Sequence, residues 1–295
     1  MSLLSGLKSK VIPDEAMSRH TTFRIGGRAA YWIEAYNLEE LIAITKELKR
    51  KNIDYYLVGA GSNLLITDEP IKLAFIRLNS DHFRTFEIKD DIIEAGAGLM
   101  LQEMVKRAAD KGLSGLEYLA GIPATLGGAI YQNAGSFSYN VSDFLDKVYV
   151  LNKDFNKVSL NKDDIDFSYR QSSLDDCIII SASFILHKAT SDEVQRRLRK
   201  YLNEKALRQP LNEASAGSIF KNPAGGDLTS AQLIEQAGLK GRRLGGAEIS
   251  TKHANYIINR HQASFNDVAD LITLIKQEVF DKFKVSLELE VKVIK

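Results

Sequence analysis

Residues 53–66, Ile53-Asp54-Tyr55-Tyr56-Leu57-Val58-Gly59-Ala60-Gly61-Ser62-Asn63-Leu64-Leu65-Ile66, set two apolar runs on either side of a glycine turn. The run Ile53 to Val58 is rich in β-forming residues and predicts a strand that breaks at Gly59; Leu64 to Ile66 and Leu73 to Leu78 predict two more. Upstream, Asn37 followed by Glu40 predicts a capping box. It opens a helix with Leu38, Leu41, Ile42 and Leu48 on one stripe, ending near Lys51. Helix, strand, glycine turn and further strands make an α/β unit. Two glycines around one residue let consecutive amides converge on a phosphate that bulkier residues would keep away. Gly59, Ala60, Gly61, Ser62 and Asn63, with Leu64 closing the turn, are therefore a candidate pyrophosphate nest. The turn is not a dinucleotide fingerprint, because Leu64 stands in place of the third glycine and the residues after it read as strand. On its own, a glycine turn this short is more often only a turn.

Downstream, two short strand runs between Thr85 and Gly98 flank Asp90-Asp91, and Met100, Leu101, Met104, Val105 and Ala108 predict a helix closed by Gly112. The stretch from Ala120 to Gly135 then carries Gly121, Pro123, Gly127, Gly128 and Gly135, too much glycine for a regular element. It reads as a surface for a large flat ligand or as a tightly packed turn-helix. Strands resume at Lys147 to Leu151 and Cys177 to Leu186, and a helix beginning at Ser191 leads into a C-terminal unit, with the border near residue 190. There, Thr229 and Gln232 predict a capping box on a helix stopped by Gly238, and Ala254 to Ile258 reads as a strand. Asn266 is the expected cap of a last helix with Val268, Leu271, Ile272, Ile275, Val279 and Phe283 facing the core. An alternating strand, Val285, Leu287, Leu289, Val291, Val293, ends the chain.

Composition narrows the classes of function. Lys plus Arg number 39 against 38 Asp plus Glu, so no global field draws the chain to nucleic acid or to an anionic membrane, and any anion needs a local site. The basic run Arg196, Arg197, Arg199 and Lys200 lies on a segment of helical period and reads as a solvated face. Cys177 is the only cysteine, which excludes an internal disulfide and any multi-cysteine metal site and fits a reducing cytoplasm. The five His show no HExxH-type pairing, so no metal is expected. No apolar run is long enough to span a bilayer, and the first 20 residues lack a signal-peptide core.

Read together, the motifs point further. His20-Thr21-Thr22-Phe23-Arg24-Ile25-Gly26-Gly27, the glycine turn, Leu119 to Gly135 and Phe167-Ser168-Tyr169-Arg170 resemble, in order and spacing, the FAD-binding module of the vanillyl-alcohol-oxidase type. With Ser215-Ala216-Gly217-Ser218-Ile219-Phe220-Lys221-Asn222-Pro223, Gly238-Leu239-Lys240-Gly241, Ser250 to Tyr256 and Leu287-Glu288-Leu289-Glu290-Val291 added, the chain resembles the UDP-N-acetylenolpyruvoylglucosamine reductases over nearly its whole length. The resemblance implies an α+β fold: an FAD-binding module in two α/β subdomains, 1–80 and 81–190, and a C-terminal α+β substrate domain, 191–295.

It also implies noncovalent FAD held by Gly59, Ala60, Gly61, Ser62, Asn63, Leu64, Gly121, Pro123, Gly127, Gly128 and Asn133, with NADPH as co-substrate. The second substrate would be an enolpyruvyl UDP-N-acetylglucosamine. Hydride addition to its double bond leaves a carbon needing a proton and a carboxylate gathering negative charge. Ser218 matches the family's proton donor, Arg170 its active-site arginine and Glu288 its carboxylate, with Glu290 as the control. Without the resemblance these read as a turn hydroxyl, a surface ion pair and a solvated acid. Asn222, Arg242 or Arg243, Lys252, His253 and Asn255 are the expected UDP-sugar contacts. At 295 residues the chain matches the family's shorter class, which lacks a tyrosine-loop insertion. Small molecules are the expected partners, with neither nucleic acid nor membrane, and a monomer is the favoured state. Two other readings stay open: an FAD oxidase or dehydrogenase of the same superfamily, and a sugar-nucleotide-binding protein without catalysis.

Overall fold

In the computed structural model, which describes residues 6–295, Asn37 accepts the Glu40 amide at 2.9 Å and opens helix α1, Leu38–Arg50. Its buried stripe is Leu41, Ile44, Thr45 and Leu48. Strand Asp54–Leu57 follows and pairs in parallel with Ile71–Arg77, at the edge of a four-stranded sheet completed by Arg28–Glu34 and Lys10–Ala16. A second sheet is antiparallel throughout, in the order Lys157–Asn161, Leu145–Leu151, Ile178–Ile185, Ile92–Gly96, Phe86–Lys89. Its middle strand is the apolar run after Cys177, buried at Ile178, Ile179, Ile180, Ala182 and Phe184. Helix α2, Leu101–Asp110, buries Leu101, Met104, Val105 and Ala108, and Gly112 follows with φ 69°. The glycine-dense stretch contains one short helix, α3, Leu126–Tyr131, because Thr125 accepts the Gly128 amide and starts it in spite of the glycines.

The chain divides into two units. One comprises the stretch up to Pro13, Tyr31–Ala60 and Lys72–Lys205; the other comprises Asp14–Ala30, Gly61–Ile71 and Ala206–Lys295. The borders expected at residues 80 and 190 do not coincide with these. A single core runs from Ile33, Leu41 and Ile44 through Ile93 and Met104 to Val148 and Phe184, so the two expected subdomains share one interior. Helix α4, Ser191–Arg208, buries Val194 and Leu198 in that core, which carries the first unit on to Lys205.

In the second unit, α5, Ser230–Gln236, has the expected capping box of Thr229 and Gln232. Helix α6, Phe265–Phe283, is capped by Ser264 and not by Asn266: the Ser264 side chain accepts from Asp267 N, and the Asp267 carboxylate accepts from Ser264 N. An Asp at the third helical position reaches back as a Glu would. Its core face, Val268, Leu271, Ile272, Ile275 and Val279, packs with Ile249, Ile257 and Phe220. The expected strand at Ala254 to Ile258 is Ile257–Asn259, third in a sheet with Ala247–Ile249 and Arg243–Leu244. The chain's end also departs from expectation. Leu289 makes an isolated bridge to Phe220, a bend follows at Val291, and only Lys292–Ile294 is a strand, parallel to Leu64–Ile66. The bend interrupts the alternation.

Candidate active site

Within the first unit Gly59 meets the start of the short helix in the glycine-dense stretch. A Cβ on Gly59 would lie 2.3 Å from the Thr125 hydroxyl oxygen, so only glycine allows the nest's first residue to rest on the cap of α3. The chain then turns at Gly61, with φ 66°. Among the described residues no carbonyl or side chain accepts from the amides of Gly59, Ala60, Ser62 and Asn63, a donor set that fits the phosphates of FAD. Other expected flavin residues are taken up by the protein itself. Gly127 donates to Ala97 O, Gly128 donates to Thr125, and Leu64 is buried in the strand beside Lys292. Gly121 is buried, with φ 75°, against Lys205 and Leu202, and Pro123 is exposed.

Asn133 is buried, and its side-chain amide donates to Ser168 O at 3.0 Å. Ser168 begins the turn of the hairpin Phe167–Ser168/Gln171–Ser172, whose second turn residue is Arg170 at φ 61°. A non-glycine residue held in the left-handed region is constrained by its surroundings. Here the guanidinium donates to Gly135 O at 3.2 Å and lies over the Tyr169 ring, 4.8 Å from its centroid. Lys205 approaches from α4. Its burial, and secondarily the Arg170 charge, lowers the ammonium pKa to about 8.

In the second unit three pieces of chain converge on Ser218. Ser218 and Tyr256 face each other across an isolated antiparallel bridge, and Ile219 N donates to Asn255 O at 2.9 Å. On the other side Ile219 O accepts Glu290 N at 2.8 Å, and Lys221 N donates to Glu288 O at 2.9 Å. The two glutamates part at this point. Glu288 has a side chain 79% exposed with Lys221 Nζ 3.9 Å away, whereas Glu290 is half-buried and near enough to the Tyr256 phenol to affect its ionisation. Burial first, then the Glu290 carboxylate, pushes the Tyr256 pKa up, while interaction with the Ser218 side chain pulls it back. Tyr256 is thus a neutral phenol at working pH. His253 stands edge-on to it, ring centroids 4.9 Å apart, with Nδ1 buried and unbonded and its pKa lowered chiefly by burial.

The other expected sugar-nucleotide residues divide by what they already hold. Asn255 is buried and clamps the Phe220 backbone twice, accepting from its N at 2.9 Å and donating to its O at 2.8 Å. Asn222 accepts from Ser230 N at the start of α5, and Lys252 donates to Ala206 O. Arg243 pairs with Glu248 at 2.5 Å, whereas Arg242 is exposed with no such partner among the described residues.

Comparison with known proteins decides the family. A family model described as UDP-N-acetylenolpyruvoylglucosamine reductase, C-terminal domain, matches residues 209–294, and an FAD binding domain model matches 29–155. Over 295 residues the chain is 39% identical to the UDP-N-acetylenolpyruvoylglucosamine reductase of Caldicellulosiruptor saccharolyticus, covering 99% of this chain and 94% of the relative. The chain belongs to the UDP-N-acetylenolpyruvoylglucosamine reductase family. A reductase of the same name from Prochlorococcus marinus is 40% identical over 94% of this chain and 95% of its own length. The crystal structure of the reductase (MurB) from Thermus caldophilus matches with TM-score 0.83 at 34% identity, covering 98% of this chain and 99% of that one. The fold is accordingly an FAD-binding domain joined to the reductase family's C-terminal domain. Both glycine segments lie in the first matched range and Ser218, Tyr256 and Glu290 in the second; Arg170 lies between them. Tyr256 was not singled out from the sequence, although it ends the Ser250 to Tyr256 motif.

Proposed function

We propose that this chain reduces the enolpyruvyl group of UDP-N-acetylenolpyruvoylglucosamine to give UDP-N-acetylmuramate, using NADPH, in the synthesis of peptidoglycan precursors. The observation that carries this is the gathering of a hydroxyl, a phenol and a carboxylate, Ser218, Tyr256 and Glu290, within the part of the chain that matches the reductases' own C-terminal domain. Bound FAD supplies a two-electron carrier able to take a hydride from NADPH and deliver it to the substrate's double bond.

The nest at Gly59 to Asn63 holds the cofactor's phosphates through backbone amides. Arg170 meets the substrate carboxylate, where a planar guanidinium binds in two places and stays charged at any working pH. Ser218 gives its hydroxyl proton to the carbon that turns basic once hydride has arrived. Glu290 takes the carboxylate role in place of Glu288, because it is half-buried beside Tyr256 while Glu288 is turned out to solvent. Arg242 is the open cation for the sugar nucleotide. No helix of the described residues is long and apolar enough to cross a membrane. With one cysteine and a reducing co-substrate, we place the enzyme in the cytoplasm, as a monomer to be checked by sedimentation.

Stopped-flow mixing tests the reading. NADPH should bleach the yellow protein and the enolpyruvyl UDP-sugar should restore its colour; failure of the second step removes the proposed substrate. Acid precipitation should leave the colour in the supernatant, and colour in the pellet would mean a covalent tether.

A further inference from the structure

The Ser218 hydroxyl has a task that its surroundings do not perform unaided. A serine proton donor must present its hydrogen to one carbon, and a hydroxyl rotates freely unless a neighbour fixes it. Of the segments that converge on Ser218, the one carrying Tyr256 sits directly opposite it, and the Ser218 side chain influences the ionisation of the Tyr256 phenol. The antiparallel bridge sets the two residues directly opposite each other, so both side chains leave on the same face. The backbone bonds Ile219 N to Asn255 O and Glu290 N to Ile219 O hold the bridge from both sides. Tyr256 is 8% exposed, and its ring is fixed edge-on by His253.

We propose that Tyr256 is a positioning residue: its phenol hydrogen-bonds the Ser218 oxygen, turns the serine proton toward the substrate, and supports the alkoxide left when that proton moves to carbon. The atoms balance without a new reactant. Ser218 loses its proton to the substrate carbon, Tyr256 keeps its own proton while donating a hydrogen bond, and solvent reprotonates the serine before the next turnover. Burial first, and the Glu290 charge after it, favour the protonated phenol, which leaves it a donor throughout.

The inference rests on Ser218 being the proton donor, and the test separates the two. Reoxidation of NADPH-reduced holoenzyme by the enolpyruvyl UDP-sugar is measured for the parent, Tyr256→Phe, Ser218→Ala and the double variant. Phenylalanine keeps the ring and loses only the hydroxyl. Tyr256→Phe should slow reoxidation about ten- to a hundredfold, the size of one hydrogen bond to a developing charge. Flavin reduction by NADPH, flavin content and Tm should stay at parent values. The double variant should be no slower than Ser218→Ala, because Tyr256 acts only through that oxygen. Independent, multiplying losses would make Tyr256 a separate contributor and overturn the proposal, as would an unchanged rate in Tyr256→Phe. If Ser218→Ala itself reoxidises normally, the proton-donor reading fails first and this inference fails with it.

Discussion

Glu288 and Glu290 are two residues apart and would point the same way in a regular strand, yet they reach different surroundings. The amide of Glu290 and that of Val291 both turn to Ile219 O, at 2.8 and 3.3 Å, and this shared acceptor sits where the chain bends. Glu290→Gln should therefore lower substrate-driven reoxidation by orders of magnitude, with flavin content and Tm little changed. Glu288→Gln should stay within a few-fold of the parent. Reversed effects would return the role to Glu288; two fully active variants would leave the site without its carboxylate. Arg170 is likewise held rather than merely exposed, with its backbone in the left-handed region and its guanidinium on Gly135 O. Arg170→Lys keeps the charge and loses the fork, a contact worth roughly 1.5 to 3 kcal/mol. Its kcat/KM should fall at least tenfold, and near-normal turnover would favour the surface ion-pair reading.

At the scale of elements, what could be read from the sequence was what is local. The Asn37 cap, the capping box at Thr229, the stripe on α2, and the strands on either side of Asp90-Asp91 each follow from neighbours within one or two turns. The box expected at Asn37 is only half made, because the Glu40 carboxylate accepts from Lys8 N and Ser9 instead of from Asn37 N. The pairings between elements depend on distant partners. Leu64–Ile66 pairs with Lys292–Ile294, across more than two hundred residues, and no periodicity in either segment announces it. The strands Lys10–Ala16, Arg28–Glu34 and Lys157–Asn161 are not among the elements expected from the sequence: the first and last are mostly exposed or half-exposed, and Arg28–Glu34 buries Ala29, Trp32 and Ile33 without a strict alternation. The same limit applied to the site. The motifs located Ser218 and Arg170, but the role of Asn255 emerged only from its two bonds to Phe220. Asn255→Ala would strand a buried N–H and a buried C=O, at roughly 1 to 3 kcal/mol each. It should lower Tm and slow reoxidation together, whereas a sugar contact would raise KM with Tm unmoved.

At the scale of the molecule, the second unit is assembled from three separate segments, and Phe23, Ile25 and Leu65 of its core come from the first 71 residues. A fragment of residues 206–295 should not fold alone, as judged by amide dispersion, although the matched family model begins near its first residue. The molecule's charge is nearly balanced, 39 cations against 38 anions, so the pH dependence of stability comes from single groups and not from a net field. Lys205 is the clearest of them. Burial and the Arg170 charge lower its pKa from 10.5 to about 8, and the unfolded chain restores the ordinary value. Between those values the unfolded state binds the additional proton, so this group's contribution is complete above the unfolded pKa and is lost as pH falls toward the folded one. At about 1.4 kcal/mol per decade of proton affinity, the drop from 10.5 to about 8 corresponds to roughly 3 kcal/mol. Lys205→Met keeps the stem that packs on Gly121 and removes the charge. Urea unfolding at pH 7 should show the methionine variant more stable than the parent, with the gap closing as pH is raised toward 10. A gap independent of pH would mean that packing, and not the buried ammonium, separates the two proteins.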